Sequence, residues 1–426
     1  MVDRPDQQEL SALMGNADLI HIHFYNTPSI YEFFNRPLPP CRRLLWMHVS
    51  GFTPPQVLPL EVASRVDRVV LTSMESQKLP VVAALNRQNR FPNAIIAGAD
   101  FARLKDIKPR LHHGFNVGYI GIIDPVKMYP RYVELSAAID LPGVKFVVCG
   151  GGAELLRRKI DKTGAAEKFE LKGYVADIAP ILETLDVFGY PLSKETYSTT
   201  DQSLQEAMFA GVPPVVFDHG ATSKMVQHNR TGIVVNSEED YRGAIVFLAQ
   251  NTAKRLELGE NARRYAEQNF GVRRSSERMN EVYRDVIARE KSLMPPLSTE
   301  SSPLTASEVF IVSLGDYGGD FSASRNGNEA ERRAADVKIA TQTRLMTSPQ
   351  SGGILHWVQH FQSDPFLRMW AGLVFAKQGN NARALIEFRA ALKLGGDRQR
   401  LTDYIRKTAY ALNASPAALS AMLKPD

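Results

Sequence analysis

Cysteine is nearly absent: Cys41 and Cys149 are the only two in 426 residues, and they lie far apart. That argues against both a disulfide framework and a cysteine metal site. No apolar run approaches the roughly 18 residues that a membrane-spanning helix needs. The first residues, Met1 to Gln8, are polar and acidic rather than a charged, apolar and small-residue leader. The cytoplasm follows as the default compartment. Charge is not lopsided either: 51 Lys and Arg against 46 Asp and Glu leave a net +5. This is weak support for anionic partners such as nucleotide phosphates or a membrane surface, where a peripheral association is allowed, and it does not suggest nucleic acid. With 44% hydrophobic and 23% charged residues, the chain has the composition of a globular protein of two or three domains.

What is present is a regular exchange of apolar runs and amphipathic stretches. Between residues 111 and 290 the pattern predicts a strand over 116–121, a helix over 129–139, a strand over 144–149 and a helix over 153–162. Further strand–helix units pass through Phe169, Val187, Pro214 and Gly232 to helices ending near Arg289. Six strands alternating with helices describe a doubly wound α/β sheet. Gly150-Gly151-Gly152 follows the second of these strands, but the third Gly of a dinucleotide fingerprint falls at Leu155, so close helix–strand packing explains the glycines equally well. Residues 1–110 hold four shorter apolar runs, at 18–23, 44–49, 68–72 and 94–97, which suit strands buried on both faces. His21 and His23 share one face of their strand. No nearby Cys or acid completes a metal site, so a satisfied histidine is the simpler reading.

The stretch VFGYPLSKETYSTTDQSLQEAMFAGVPPVVFD, residues 187–218, carries the chemistry. It reads as strand, polar loop, helix and strand. Thr199 and Gln202 have capping-box spacing, and Gly211 stands where a helix ends on a left-handed residue. The hydroxyl-rich loop from Glu195 to Thr200 leads into a helix N-terminus, whose free N–H groups and dipole attract phosphate. Glu206 lies in mid-helix beside the buried stripe of Leu204, Ala207 and Met208. Such an acid either faces solvent or accepts hydrogen bonds from something specific.

The order of these residues resembles the signature of the family-4 retaining glycosyltransferases (glycosyl transferases group 1), which have the two-domain GT-B fold. Pro191, Glu195-Thr196-Tyr197-Ser198 and Glu206-Ala207-Met208-Phe209-Ala210-Gly211-Val212-Pro213 follow the family's strand-end Pro, Glu-Gly-Phe-Gly and Glu-Ala-Met-Ala-x-Gly-x-Pro. The family separates its two Glu by seven residues; here ten lie between Glu195 and Glu206. Counting back from Glu206 places Ser198 at the first position, whereas counting forward from Pro191 places Glu195 there, and the distance from the strand end favours Glu195. The resemblance implies that Glu206 binds the donor ribose and Glu195 the donor sugar. The backbone N–H groups of Ser198 and Thr199, with Lys127, would hold the donor diphosphate. Lys127 matches the family's Lys, while Ile122 replaces its Arg partner and Arg131 is a candidate substitute. Gly173-Tyr174-Val175 resembles the nucleobase turn, with Tyr174 and Val175 as contacts. Later turns at His219-Gly220-Ala221 and Arg230-Thr231-Gly232 follow the family too, with Lys224 where an acid is usual.

The N-terminal part resembles the second half of a GT-B acceptor domain through Asp18-Leu19-Ile20-His21-Ile22-His23, Leu45-Trp46-Met47-His48 and Ala97-Gly98-Ala99-Asp100. His48 matches an active-site His, which implies a catalytic or substrate-orienting role. Nothing before Leu19 supplies the family's first strand–helix units, so an incomplete domain with an exposed sheet edge is expected.

The expected organisation is therefore GT-B type α/β. A partial Rossmann-like acceptor-side domain occupies 1–110 and a nucleotide-sugar-binding Rossmann-like domain 111–290. A largely irregular linker over 291–352 is rich in Ser, Thr, Pro and Gly, and its apolar patch at 309–314 is expected to dock on the enzyme domain. Residues 353–426 are helical; Gly372, Phe375, Ala384, Phe388 and Ala391 resemble one tetratricopeptide repeat, and a generic helical hairpin fits nearly as well. Such a unit needs to pack on the segment from Arg400 to Leu423 or on a protein partner. The expected activity is that of a retaining hexosyltransferase that moves sugar from a nucleotide-sugar to a glycan, lipid-linked or protein acceptor, with no cofactor and no metal. The alternative is a catalytically inactive scaffold acting through its helical tail.

Overall fold

The computed structural model describes residues 5–294, 297 and 304–423. Its strands form two sheets. Strands β1 (Ile20–Phe24), β2 (Arg43–Met47), β3 (Arg68–Leu71) and β4 (Asn93–Ala94) make a four-stranded sheet in that order. Strands β5 (Phe115–Ile120), β6 (Val144–Cys149), β7 (Phe169–Gly173), β8 (Val187–Tyr190), β9 (Pro214–Phe217) and β10 (Ile233–Val235) make a six-stranded sheet in the order β10-β9-β8-β5-β6-β7. Every pairing in the larger sheet is parallel. By contacts the chain divides into two compact units, one of Met1–Val69, Pro80–Phe91 and Val286–Asp426, the other of Val70–Leu79 and Pro92–Asp285. The sequence reading expected consecutive blocks instead.

The second unit is built on the larger sheet. Its strands are continuous apolar runs because both faces are covered. Neighbouring strand residues enter opposite cores, as strand geometry requires. Val147, Phe188 and Val216 join Leu204, Ala207 and Met208 on one side, while Phe146, Val187 and Val215 join Tyr241, Ile245 and Leu248 on the other. The chain runs outward from β5 through β6 and β7, then returns to place β8 on the other flank of β5. This reversal opens a crevice at the carboxyl ends of β5 and β8, the position where open α/β sheets place ligands. The expected helix over 129–139 is shorter, Tyr132–Ala137, because Pro130 disfavours helix in the residue before it and Tyr129 donates its N–H to Pro191 O at 3.1 Å instead. The glycines after β6 serve packing: a Cβ on Gly150 would lie 1.8 Å from the carbonyl oxygen of Gly121.

In the first unit β1 and β2 pair in parallel, with His23 opposite Trp46. Most of the other described elements of this unit are helices, and here the sequence reading needs correction. The Ser- and Pro-rich run at 295–302 lies outside the described residues apart from Leu297. The rest of the expected linker is not irregular, for it contains the helices Ala306–Ser313, Gly319–Asn326 and Glu329–Ala340. Thr305 with Glu308, and Asn328 with Glu331, form complete capping boxes that stabilise two of these against a helix-poor composition. The patch around Val309 docks within this unit: Phe310 packs on Phe321, Trp357 and Trp370, and Trp357 on Tyr31.

Helices Pro365–Lys377 and Asn381–Lys393 form a hairpin, with Ala384, Phe388 and Ala391 buried. Helix Arg398–Ala411 covers it, stacking Tyr404 on Phe388 at 5.2 Å. One carboxylate joins four helices. Asp336, on Glu329–Ala340, accepts from Arg400 Nε at 2.8 Å, from Tyr404 Oη, and from Ser324 Oγ at 2.8 Å. Ser324 in turn accepts from Trp370 Nε1 at 2.8 Å. No described helix is long and apolar enough to cross a membrane.

Candidate active site

The site is assembled from three loops that leave the carboxyl ends of adjacent strands. After β5, Asp124 makes an Asx turn, its side chain accepting from Val126 N at 2.6 Å, which carries the chain round to Lys127. The loop after β8 fastens there: Ser193 N donates to Lys127 O at 2.8 Å. With its backbone fixed, Lys127 sends its ammonium to the start of helix Gln202–Phe209, where Nζ lies 2.7 Å from Asp201 Oδ1. Burial is the largest influence and works against this charge, but the Asp201 carboxylate together with Tyr119 and Tyr197 outweighs it, so the lysine pKa is raised and the group stays cationic. Lys127 also lies 5.9 Å from the centre of the Tyr190 ring.

The helix begins two residues later than the Thr199–Gln202 spacing predicts. Its N-cap is Asp201, a stronger capping type than Thr, and the capping box is not formed. Asp201 caps with its backbone only, its carbonyl accepting from Leu204 N and Gln205 N at 3.1 and 3.2 Å. Its carboxylate makes no capping bond and turns instead to Lys127 and to Thr222 Oγ1 at 3.2 Å. The first-turn N–H groups of Gln202 and Ser203 are thus uncapped by that side chain. Gly211 ends the helix as expected, at φ +80°, with Val212 N bonded to Ala207 O and Gly211 N to Met208 O, a Schellman pair.

Ser198 and Thr199 precede this turn. The Ser198 N–H is already directed at Thr196 Oγ1, at 3.3 Å, and Thr199 is buried. Glu195 keeps its own N–H on Ser193 Oγ at 3.2 Å, and its Oε2 is buried with no hydrogen-bond partner among the described residues. A buried acceptor without a protein donor is uncommon in a folded protein and is met by water or by a bound group.

Glu206 is only 6% exposed and is held through Oε1 by Arg103, a residue the sequence reading did not single out. Burial raises its pKa, with Arg103 opposing that shift. The neighbouring Gln205 clamps the 97–100 turn: Oε1 accepts from Ala99 N and Nε2 donates to Ala97 O, both at 2.9 Å. Among the other expected residues, Tyr174 is 82% exposed after β7, and Val175 packs on the core. Ile122 is 65% exposed. Arg131 does not take over the missing cation's place, because it pairs with Glu238 at 3.4 Å. Lys224 is neutralised by Asp218 at 2.7 Å.

In the first unit, His48 sits at the end of β2 with its Nε2 2.8 Å from His23 Nδ1, in a stack that includes Tyr25 and His21. Burial and the neighbouring imidazoles lower the pKa of His21 and of His48 from the ordinary 6.5 to about 4. The unfolded chain therefore takes up protons near pH 6.5 that the folded chain refuses until about pH 4. Stability from these two residues is fully present above pH 6.5 and is lost as the pH falls toward 4. Thermal melts across that window are expected to show a falling Tm, flattened by His21→Asn with His48→Asn; an unchanged slope in the double variant would refute this origin. Among the described residues no group of three or more His, Cys, Asp or Glu is placed to hold a metal ion.

Residues 100–265, the span that carries this site in the second unit, match the family model described as Glycosyl transferases group 1. A GDP-mannose-dependent alpha-mannosyltransferase of Mycolicibacterium smegmatis is 30% identical over 148 residues, 35% of this chain and 37% of the relative. The chain thus spans little more than a third of that relative's length. Among solved structures, Anabaena Alr3699/HepE in complex with UDP aligns with a TM-score of 0.54 at 19% identity, over 66% of this chain and 82% of that one. Sucrose-phosphate synthase from Thermosynechococcus elongatus aligns with a TM-score of 0.55 at 20% identity, over 66% and 77%. These likenesses are of fold, and the fold is GT-B type.

Proposed function

We propose that this chain is a glycosyltransferase that transfers a hexose from a nucleotide-sugar with retention of anomeric configuration. The observation that carries the reading is the approach of Lys127 Nζ to the first turn of helix Gln202–Phe209 at the reversal point of a parallel sheet. A diphosphate in that crevice meets a partly buried cation and a helix dipole together. As the bond from the anomeric carbon to the diphosphate breaks, its electron pair leaves with the diphosphate, and fixed positive groups stabilise that charge without a metal. The acceptor hydroxyl adds to the same face of the sugar and gives up its proton to the departing diphosphate. Glu206 takes the ribose hydroxyls, with Arg103 steadying one carboxylate oxygen. Glu195 takes the donor sugar on its partnerless Oε2, which favours it over Ser198 for that role. For His48, Tyr174 and Val175 the roles rest on the sequence resemblance alone.

The mannosyltransferase and UDP-bound relatives make GDP-mannose and UDP-glucose the first donors to assay. Purified chain is expected to hydrolyse or transfer from one of them, with product anomer read by NMR. Glu206→Ala is expected to raise KM for the donor about 10–100-fold, the cost of one or two lost hydrogen bonds to a charged group. Normal turnover by this variant would remove Glu206 from the site. No binding of either donor would remove the transferase reading.

A further inference from the structure

The crevice contains an acid for which phosphate binding alone has no use. Asp201 lies within the widened interval between Glu195 and Glu206. Its carboxylate touches Lys127, the cation assigned to the donor diphosphate, while Ile122 stands at the second cation's position and Arg131 is paired with Glu238. An Asp at an N-cap ordinarily accepts from the first-turn N–H groups. This one forgoes those bonds and spans two loops, with Oδ1 on Lys127 at 2.7 Å and Oδ2 on the buried Thr222 hydroxyl at 3.2 Å. It carries the same sign as the ligand that Lys127 would receive.

We propose that Asp201 is an exchangeable counterion for Lys127, which holds the ammonium while the pocket is empty and hastens release of the nucleoside diphosphate after transfer. This rests on the donor-site reading above. The Lys127 side chain is only 23% exposed, so its charge is costly to leave without a partner. Asp201 supplies that partner in the empty state. When a diphosphate arrives it becomes the lysine's partner, and Asp201 is left as a surplus negative charge that Thr222 keeps in place. Departure of the diphosphate restores the original pair. Asp201 thus lowers the affinity for product while preserving the position of Lys127, and it acts through that lysine as a positioning residue.

The test is titration of the full chain with GDP and with UDP by calorimetry, with the dissociation rate measured by stopped flow. Asp201→Asn keeps the shape and the capping ability and removes only the charge. It is expected to tighten the Kd of whichever nucleotide binds about tenfold, or about 1.4 kcal/mol, and to slow dissociation by a similar factor. Asp201→Ser, neutral and also a good N-cap, serves if the first variant does not fold, with the same expectation. Unchanged or weaker affinity in the neutral variant overturns the inference. Lys127→Met, checked for folding by circular dichroism, separates the two levels. If it weakens binding while Asp201→Asn changes nothing, only the counterion role falls. If it too changes nothing, or the wild type binds neither nucleotide, the donor-site reading falls and this inference with it.

Discussion

Lys127→Met is expected to lower kcat/KM for the donor about 10²–10³-fold, the effect of removing one preorganised group from a developing negative charge. Ile122 takes the position of a second cation, and Arg131 is paired with Glu238, so more of the charge falls to Lys127. The same substitution strands Asp201, whose carboxylate then keeps only neutral neighbours such as the Thr222 and Tyr190 hydroxyls, at a cost of about 1–3 kcal/mol. The double variant Lys127→Met with Asp201→Asn removes both charges and is expected to recover that stability without recovering turnover. Denaturant melts and donor assays on the two variants together separate folding from chemistry. Recovery of turnover in the double variant would show that Lys127 matters only as a partner for Asp201.

Asp336→Ala is expected to destabilise the helical region by about 3–5 kcal/mol, the usual consequence of removing one side of a buried ion pair. Arg400 is itself largely buried and would keep its guanidinium without the carboxylate, while Ser324 and Tyr404 lose an acceptor at the same moment. Asp336→Asn retains oxygen and shape and is expected to cost less. Urea denaturation followed through tryptophan fluorescence is suitable, because Trp370 donates to Ser324 and senses the network directly. A loss below about 1 kcal/mol would place the stability in the aromatic packing around Phe310 instead.

Much of the second unit was legible, because strands buried on both faces advertise themselves as apolar runs between helical stretches. Strand order was not, since it depends on which segments meet in space. The family resemblance already implied that Lys127 and the helix of Glu206 share one site; the placement of β8 beside β5 supplies the topology that brings them together. Arg103 carries no local signal linking it to an acid 103 positions later. Asp201 did carry one, as a strong capping type directly before an amphipathic run, but the Thr199–Gln202 spacing competed with it. The helices after residue 303 were also announced by Thr305 with Glu308 and Asn328 with Glu331. Those signals were outweighed by a Ser- and Pro-rich neighbourhood that resembles a linker in composition while burying Phe310 and Phe321.

The first unit draws on both ends of the described chain: Asn26 donates to Ser313 O at 2.7 Å, across 287 positions. On a ribosome, β1 and β2 therefore emerge long before the helices that complete their surroundings. The second unit is synthesised in between and has all its own strands available first. Early strands must wait for residues as late as Ser313, and loop closure of that length is slow. The order of synthesis thus lets the second unit collect its strands before the first can be completed.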